Sequence, residues 1–304
     1  MLGISTAWRS EILNSGIEII EDILSLGVEA VELEYRLGKP QLKEILPWAR
    51  EGRFRVKSVH NILPLPRSVP KEYADGEFVS LSSPDEGERK KAVKYAIGTL
   101  DWAEKFGARA VVLHLGKVPM DGVMPYLWDL YDEGRIESEE GKSFIREHRD
   151  TRVRLGKALL EASLRSLGVL SKEADRRGIL LGIENRYNIH DFPDPEEFQA
   201  IFHEVQGSPV RYWHDVGHAT TQENLGLIRK GELLERFGDL LAGVHLHGCR
   251  GYKDHYAPGS GEEDYGQLKR YLRPEIIRVV ETHTRAAREE LIRGLEFLAE
   301  QGIA

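Results

Sequence analysis

Short apolar runs alternate along the chain with longer amphipathic stretches, and the alternation repeats eight times. The apolar runs fall at residues 2–6, 30–34, 55–60, 110–114, 180–184, 210–215, 242–247 and 276–281, each bounded by polar residues or glycine. Runs this short and this apolar predict parallel strands buried on both faces. The stretches between them read as helices. Residues 85–106 place Ala92, Ala96, Leu100 and Ala103 on one face, and residues 159–176 do the same with Leu160, Leu164, Leu167 and Leu170. Gly27, Gly107 and Gly178 stand where helices should stop, each followed within a few residues by the next apolar run. Eight strand–helix units with short connections predict an α/β chain folded as one closed (β/α)8 (TIM) barrel over residues 1–304. An open, doubly wound sheet is the other arrangement this alternation allows.

The rhythm breaks once. Residues 117–154 exceed what a strand–helix loop requires and carry Met120, Met124, Tyr126, Leu127, Trp128, Leu130 and Tyr131 before a charge-dense run from Glu137 to Arg154. The aromatic content predicts an ordered lid or a contact between subunits of a homo-oligomer, and the charged run a solvated helix face. Composition adds exclusions. A formal charge of −8 gives no chain-wide attraction to nucleic acid or anionic membrane, which favours a small-molecule substrate and leaves DNA only a local basic groove. Cys249 is the sole cysteine, so neither an intramolecular disulfide nor a thiolate-rich metal site is available. No apolar stretch reaches membrane-spanning length and the first residues lack a signal-peptide pattern, so a cytoplasmic location is expected.

What ends each strand carries the chemistry. The third run ends in Val59-His60-Asn61, the fourth in Leu113-His114 and the fifth in Ile183-Glu184-Asn185. The sixth ends in His214-Asp215-Val216-Gly217-His218, the seventh in Val244-His245-Leu246-His247 and the eighth in Val280-Glu281. The C-terminal ends of barrel strands converge on one face, where active sites are built. Ionisable groups at the edge of apolar strands are costly unless paired or bound to metal. His, Asp and Glu without thiolates suit a divalent ion, zinc or manganese foremost, with magnesium or cobalt also compatible.

Plainer roles stand beside this one. Asp215 could cap a helix at His218, and His60 and His114 could hydrogen-bond polar groups of the barrel. His214 should point away from Asp215, because neighbours on a strand face opposite sides. By the same rule His245 and His247 share a face, His245 being the better ligand. One of Glu32 and Glu34 should face the mouth. Arg186 could hold a substrate anion or pair with a loop acid, and Cys249 reads as an unreactive small side chain.

Ile183-Glu184-Asn185, Asp215-Val216-Gly217-His218, Val244-His245-Leu246-His247, Val280-Glu281-Thr282, and His255 followed by Pro258-Gly259-Ser260-Gly261 resemble the xylose-isomerase-like barrel superfamily. That superfamily includes sugar isomerases and epimerases and the endonuclease IV type of abasic-site nuclease. The resemblance covers nearly the whole chain apart from the segment after the fourth strand. It implies metal ligation by Glu184, Asp215, His245 and Glu281, with Glu184 and Glu281 catalytic. It further implies substrate contacts from His218, with His247, Lys253 and Arg186 as further candidates. The nuclease pattern would add His60, His114, His218 and His255 as ligands. It asks for an aspartate two residues before His255; Lys253 stands there, with Asp254 one place later. That departure favours an isomerase or epimerase acting on a small sugar or related hydroxy-ketone by proton transfer through an enediolate. The alternative is a metal-dependent phosphodiesterase of the abasic-site nuclease type. A barrel whose site has become a binding module is a third, non-catalytic reading.

Overall fold

The computed structural model of the protein describes residues 1–120 and 122–304. Eight parallel strands close on themselves: β1 (Leu2–Ser5), β2 (Ala30–Leu33), β3 (Arg55–His60), β4 (Ala110–Leu113), β5 (Leu180–Glu184), β6 (Val210–Asp215), β7 (Leu241–Leu246) and β8 (Ile277–Val280). Each pairs with its neighbours in sequence, and β8 pairs back onto β1 with Leu2 opposite Arg278. The predicted strands are recovered with ends shifted by at most one residue, and closure rules out the open doubly wound sheet.

Helices ring the barrel, several of them with side-chain caps at their starts. Asp85 accepts a hydrogen bond from the Glu88 amide at the head of Glu86–Phe106, which ends at Gly107 in the left-handed region, φ 67°. Inside the barrel, Trp213 fills the lumen with Ala110, Val112, Ile277 and Val279 around it. Its indole needs the bare backbone of Gly243 and Gly182, where an added Cβ would approach the ring to 2.2 Å and 2.8 Å. The larger apolar layer lies between strands and helices and includes Ile4, Val31, Val59, Val111, Leu181, Val244 and Val280.

The segment after β4 differs from expectation. Residues Val123–Asp132 form a short helix, and the predicted helix 159–176 is only the C-terminal half of a 39-residue helix, Glu139–Arg177. At about 1.5 Å per residue this helix is about 58 Å long. Ser138 accepts from the Gly141 amide at its start, and Gly178 ends it at φ 64°. The charged run from Glu137 is mostly solvated, as expected, except that Arg152 is buried. Its Nη1 and Nη2 each lie 2.8 Å from a carboxylate, Asp194 and Glu197, and its Nε donates to the Ile189 carbonyl at 2.8 Å. Among the described residues no helix is long and apolar enough to cross a membrane.

Candidate metal centre

Parallel pairing sets the strand ends level. Asp215 is in register with His245, and His245 with Val279, two residues before Glu281. Glu184 closes β5 opposite Trp213. Glu184, Asp215, His245 and Glu281 thereby converge, one ligand atom of each lying within 4.8 Å of the others, and all four are buried.

His245 is the hub. Its Nδ1 lies 2.9 Å from Glu184 Oε1, 2.9 Å from Glu281 Oε2 and 3.7 Å from Asp215 Oδ2. Its Nε2 lies 3.1 Å from Glu32, whose carboxylate also accepts from Ser58 Oγ at 2.7 Å. Glu32 therefore fixes which face His245 presents, the arrangement of a carboxylate orienting a metal-ligating imidazole. Glu34 instead receives the Arg36 guanidinium at 3.0 Å. Burial would lower the pKa of His245, but Glu281, Glu32 and Glu184 raise it well above the usual imidazole value. Burial would raise Glu184 and Glu281, yet the adjacent imidazoles, His245 foremost, hold both well below the usual carboxylate range. Four carboxylates thus crowd one imidazole in a buried space. Such an excess of negative charge calls for a cation.

Two further donor sets flank the hub. His60 and His114 both aim Nε2 at Glu184 Oε2, at 3.2 Å and 2.7 Å. Nδ1 of His60 lies 3.0 Å from the Asn61 carbonyl, so both its ring nitrogens face acceptors; Nδ1 donates to the carbonyl, and Nε2 is the nitrogen an ion could take in place of a proton. His218 repeats the logic. Its Nδ1 donates to the Asn185 carbonyl at 3.0 Å, and its buried Nε2 has no hydrogen-bond partner. Imidazole nitrogens that converge on carboxylates, where an ion could replace the shared protons, fit divalent-ion ligation.

His247 does not join the hub as a direct neighbour of His245. Its Nε2 donates to Asp215, 2.9 Å from both oxygens, and its Nδ1 accepts the His255 amide at 3.0 Å. With Asp215 opposing the effect of burial, its pKa is raised to about 9. Gly217 makes room for this ring, since a Cβ there would lie 2.0 Å from His247 Cε1. His255 stacks between His247 and His283, with ring centroids at 4.3 Å and 3.9 Å, and holds φ 61°, the one positive φ outside glycine among the described residues. His214 points away as expected, its Nδ1 bonded to Tyr212 Oη at 2.7 Å.

Three placements depart from expectation. Lys253 is exposed, its Nζ 5.6 Å from the Tyr252 ring, so it does not bring a cation to the cluster. Asp254 turns inward instead. Its Oδ2 lies 3.5 Å from His218 Nε2 and its Oδ1 2.9 Å from His255 Nδ1. The antiparallel ribbon Gly248–Arg250 with Lys253–Tyr256 and the positive φ at His255 break the simple count by two that sequence spacing assumes. Arg186 meets a loop acid, one of its two expected partners, and departs from expectation in also reaching His114. It lies between His114, 2.9 Å from Nη1, and the buried Glu77 of the loop after β3. Glu77 and His283 had no assigned part. His283 lies two residues after Glu281, so the strand period could have flagged it; Glu77, in an irregular loop, gives no periodic signal. Cys249 is buried, and desolvation pushes its thiol up to about 12.

A cavity of about 640 Å³ opens between the long helix and residues 222–232, lined by Arg149, Asn188 and Gln222 but by none of the converging ligands.

Comparison with known proteins bears on this arrangement. A search of curated proteins finds no match to the chain. Among solved structures it is similar to a D-tagatose 3-epimerase-like protein, with TM-score 0.68 and 20% identity over 99% of this chain and 96% of the other. It is similar to a 3-keto-D-glucoside 4-epimerase from E. coli, with TM-score 0.68 and 17% identity over 98% of each chain. A family 2 AP endonuclease from Brucella melitensis matches with TM-score 0.65 and 14% identity, over 98% of each chain. At such identities these likenesses establish the fold. The family model of the xylose isomerase-like TIM barrel matches residues 20–301, and the chain belongs to that family.

Proposed function

We propose that the protein is a divalent-metal-dependent isomerase or epimerase of a small sugar or related hydroxy-ketone. The observation that supports this most is the crowding of Glu32, Glu184, Asp215 and Glu281 around His245. Bound by Glu184, Asp215, His245 and Glu281, a divalent ion would supply Lewis-acid polarisation of a carbonyl and its neighbouring hydroxyl. Zinc or manganese suits these donors.

The chain's own residues would move the proton. Glu184 and Glu281 are both ionised by the pKa directions above, and an ionised carboxylate can accept the proton α to a carbonyl. They approach the His245 nitrogen from different strands, which suits removal of a proton on one face and its return on the other. His218 and Arg186, buried beside the cluster, would hold substrate oxygens. The Tyr35 and Tyr187 rings, against His60 and His218, help exclude water. A panel of ketoses in D2O tests the reading by NMR. Deuterium should enter the carbon next to the carbonyl of any turned-over sugar, and turnover with no wash-in would point to hydride shift instead. Glu281→Gln should lower kcat by about 10²–10⁴-fold.

One observation favours a second reading. Asp254 reaches the His218 and His255 set despite Lys253, so the donors for a multinuclear phosphodiesterase are closer to complete than spacing implies. Metal-dependent cleavage of an abasic oligonucleotide, without ketose turnover, would establish that reading in place of the first.

A further inference from the structure

Arg186 leaves the end of β5 two residues after Glu184, with its side chain only 11% exposed. Its Nη1 lies 2.9 Å from His114 Nε2, the nitrogen that also stands 2.7 Å from Glu184 Oε2. A guanidinium only donates, and it keeps its proton in a protein. A carboxylate only accepts, so Nε2 either takes the Arg186 proton in its lone pair or gives its own proton to Glu184, and in neither state is a free lone pair left. That lone pair is what an ion on the His60, His114 and Glu184 set would need. Glu77 holds the guanidinium from behind, with Oε1 3.9 Å from Arg186 Nε and Oε2 2.7 Å from Lys117 Nζ. The Tyr187 ring lies 5.2 Å from the guanidinium carbon.

We propose that Arg186 is a built-in cation for the His60, His114 and Glu184 set, standing where a second divalent ion would otherwise bind and confining tight metal binding on this side of the mouth to the His245 hub. The proposal rests on the metal-centre reading above. Zinc bonds an imidazole nitrogen at about 2.0–2.1 Å, and it cannot use a nitrogen that has no free lone pair. Loading this set would require the guanidinium to leave Glu77 and the Tyr187 ring. Arg186 thereby bears on reaction class. One ion beside a fixed monovalent cation suits a neutral hydroxy-ketone, whereas a pair of ions would suit a phosphodiester.

The test counts ions. Wild type, Arg186→Met and the double variant Arg186→Met/His114→Ala are stripped with chelator, reloaded with zinc, freed of loose ion and measured by plasma emission. Arg186→Met should hold one ion per chain more than wild type, and the double variant should lose that extra ion. Equal counts in wild type and Arg186→Met overturn the proposal, and so does an extra ion that survives His114→Ala. A wild type that retains no ion refutes the metal-centre reading itself, which separates the two failures. Circular dichroism checks folding. If Arg186→Met misfolds because Glu77 is left unpaired, Glu77→Gln/Arg186→Met is counted in its place, with the same outcomes deciding.

Discussion

Glu32 shows how one residue can matter to a centre without joining it. Its carboxylate takes the far nitrogen of His245 and is itself held by Ser58. Partners of this kind typically contribute 10–100-fold to metal affinity, so Glu32→Gln should leave the number of bound ions unchanged and weaken their binding by about that factor. Competition with a fluorescent chelator measures it. At this scale the sequence was informative where residues obey the period of a strand. Asp215 inward and His214 outward, His245 and His247 on one face, and one of Glu32 and Glu34 at the hub all follow from alternation. It was uninformative where the backbone leaves that period. Asp254 reaches His218 only because residues 248–256 fold back as a ribbon with His255 at φ 61°, and Glu77 comes from a loop with no repeat.

At the scale of elements, the segment after β4 braces that ribbon. Trp128 stacks on Tyr252 at 5.4 Å, Tyr131 meets the same ring edge-on at 5.8 Å, and Asp132 accepts from Tyr252 Oη at 2.9 Å. Tyr252 directly precedes Lys253, Asp254 and His255, so the helix Val123–Asp132 anchors the part of the mouth that is not a barrel strand. An aromatic pair contributes about 0.5–1.5 kcal/mol beyond its buried area. Trp128→Ala should therefore speed amide hydrogen exchange in residues 248–256 several-fold and leave exchange in β1 to β8 unchanged, as mass spectrometry of peptides would show. Uniform acceleration would mean that the helix stabilises the whole barrel. The aromatic content of residues 117–154 foretold an ordered segment, but the length of the helix Glu139–Arg177 was hidden. Its first half is too charged to show an apolar face, and its buried anchor is Arg152, whose partners Asp194 and Glu197 lie on a different helix start.

Over the whole molecule, eight strands bring residues from Glu32 to Glu281 to one point, so folding and metal binding should be linked. An ion that binds only the folded chain stabilises it by mass action, about 2.7 kcal/mol at a hundredfold excess over Kd. The sign of the pH dependence follows from His245. Its pKa is raised in the fold by the surrounding carboxylates, so its imidazolium contributes stability below the ordinary imidazole value and loses that contribution as pH rises through the raised one. Glu184 and Glu281, held low, contribute above the ordinary carboxylate value and lose it as acid protonates them. An ion must displace the His245 proton, so metal binding should tighten as pH rises and should release a proton. Titration calorimetry in buffers of different ionisation enthalpy reads that proton directly. The closed barrel was legible because its period repeats eight times and errors at single ends do not accumulate.

The most direct test is the metal content of the purified chain after chelator treatment, reloading and removal of free ion, set beside its melting temperature. At least one tightly held zinc or manganese per chain, a higher melting temperature when loaded, and loss of both in Glu184→Ala would support the centre described. A reloaded chain that holds no ion, and melts where the stripped one does, would contradict it.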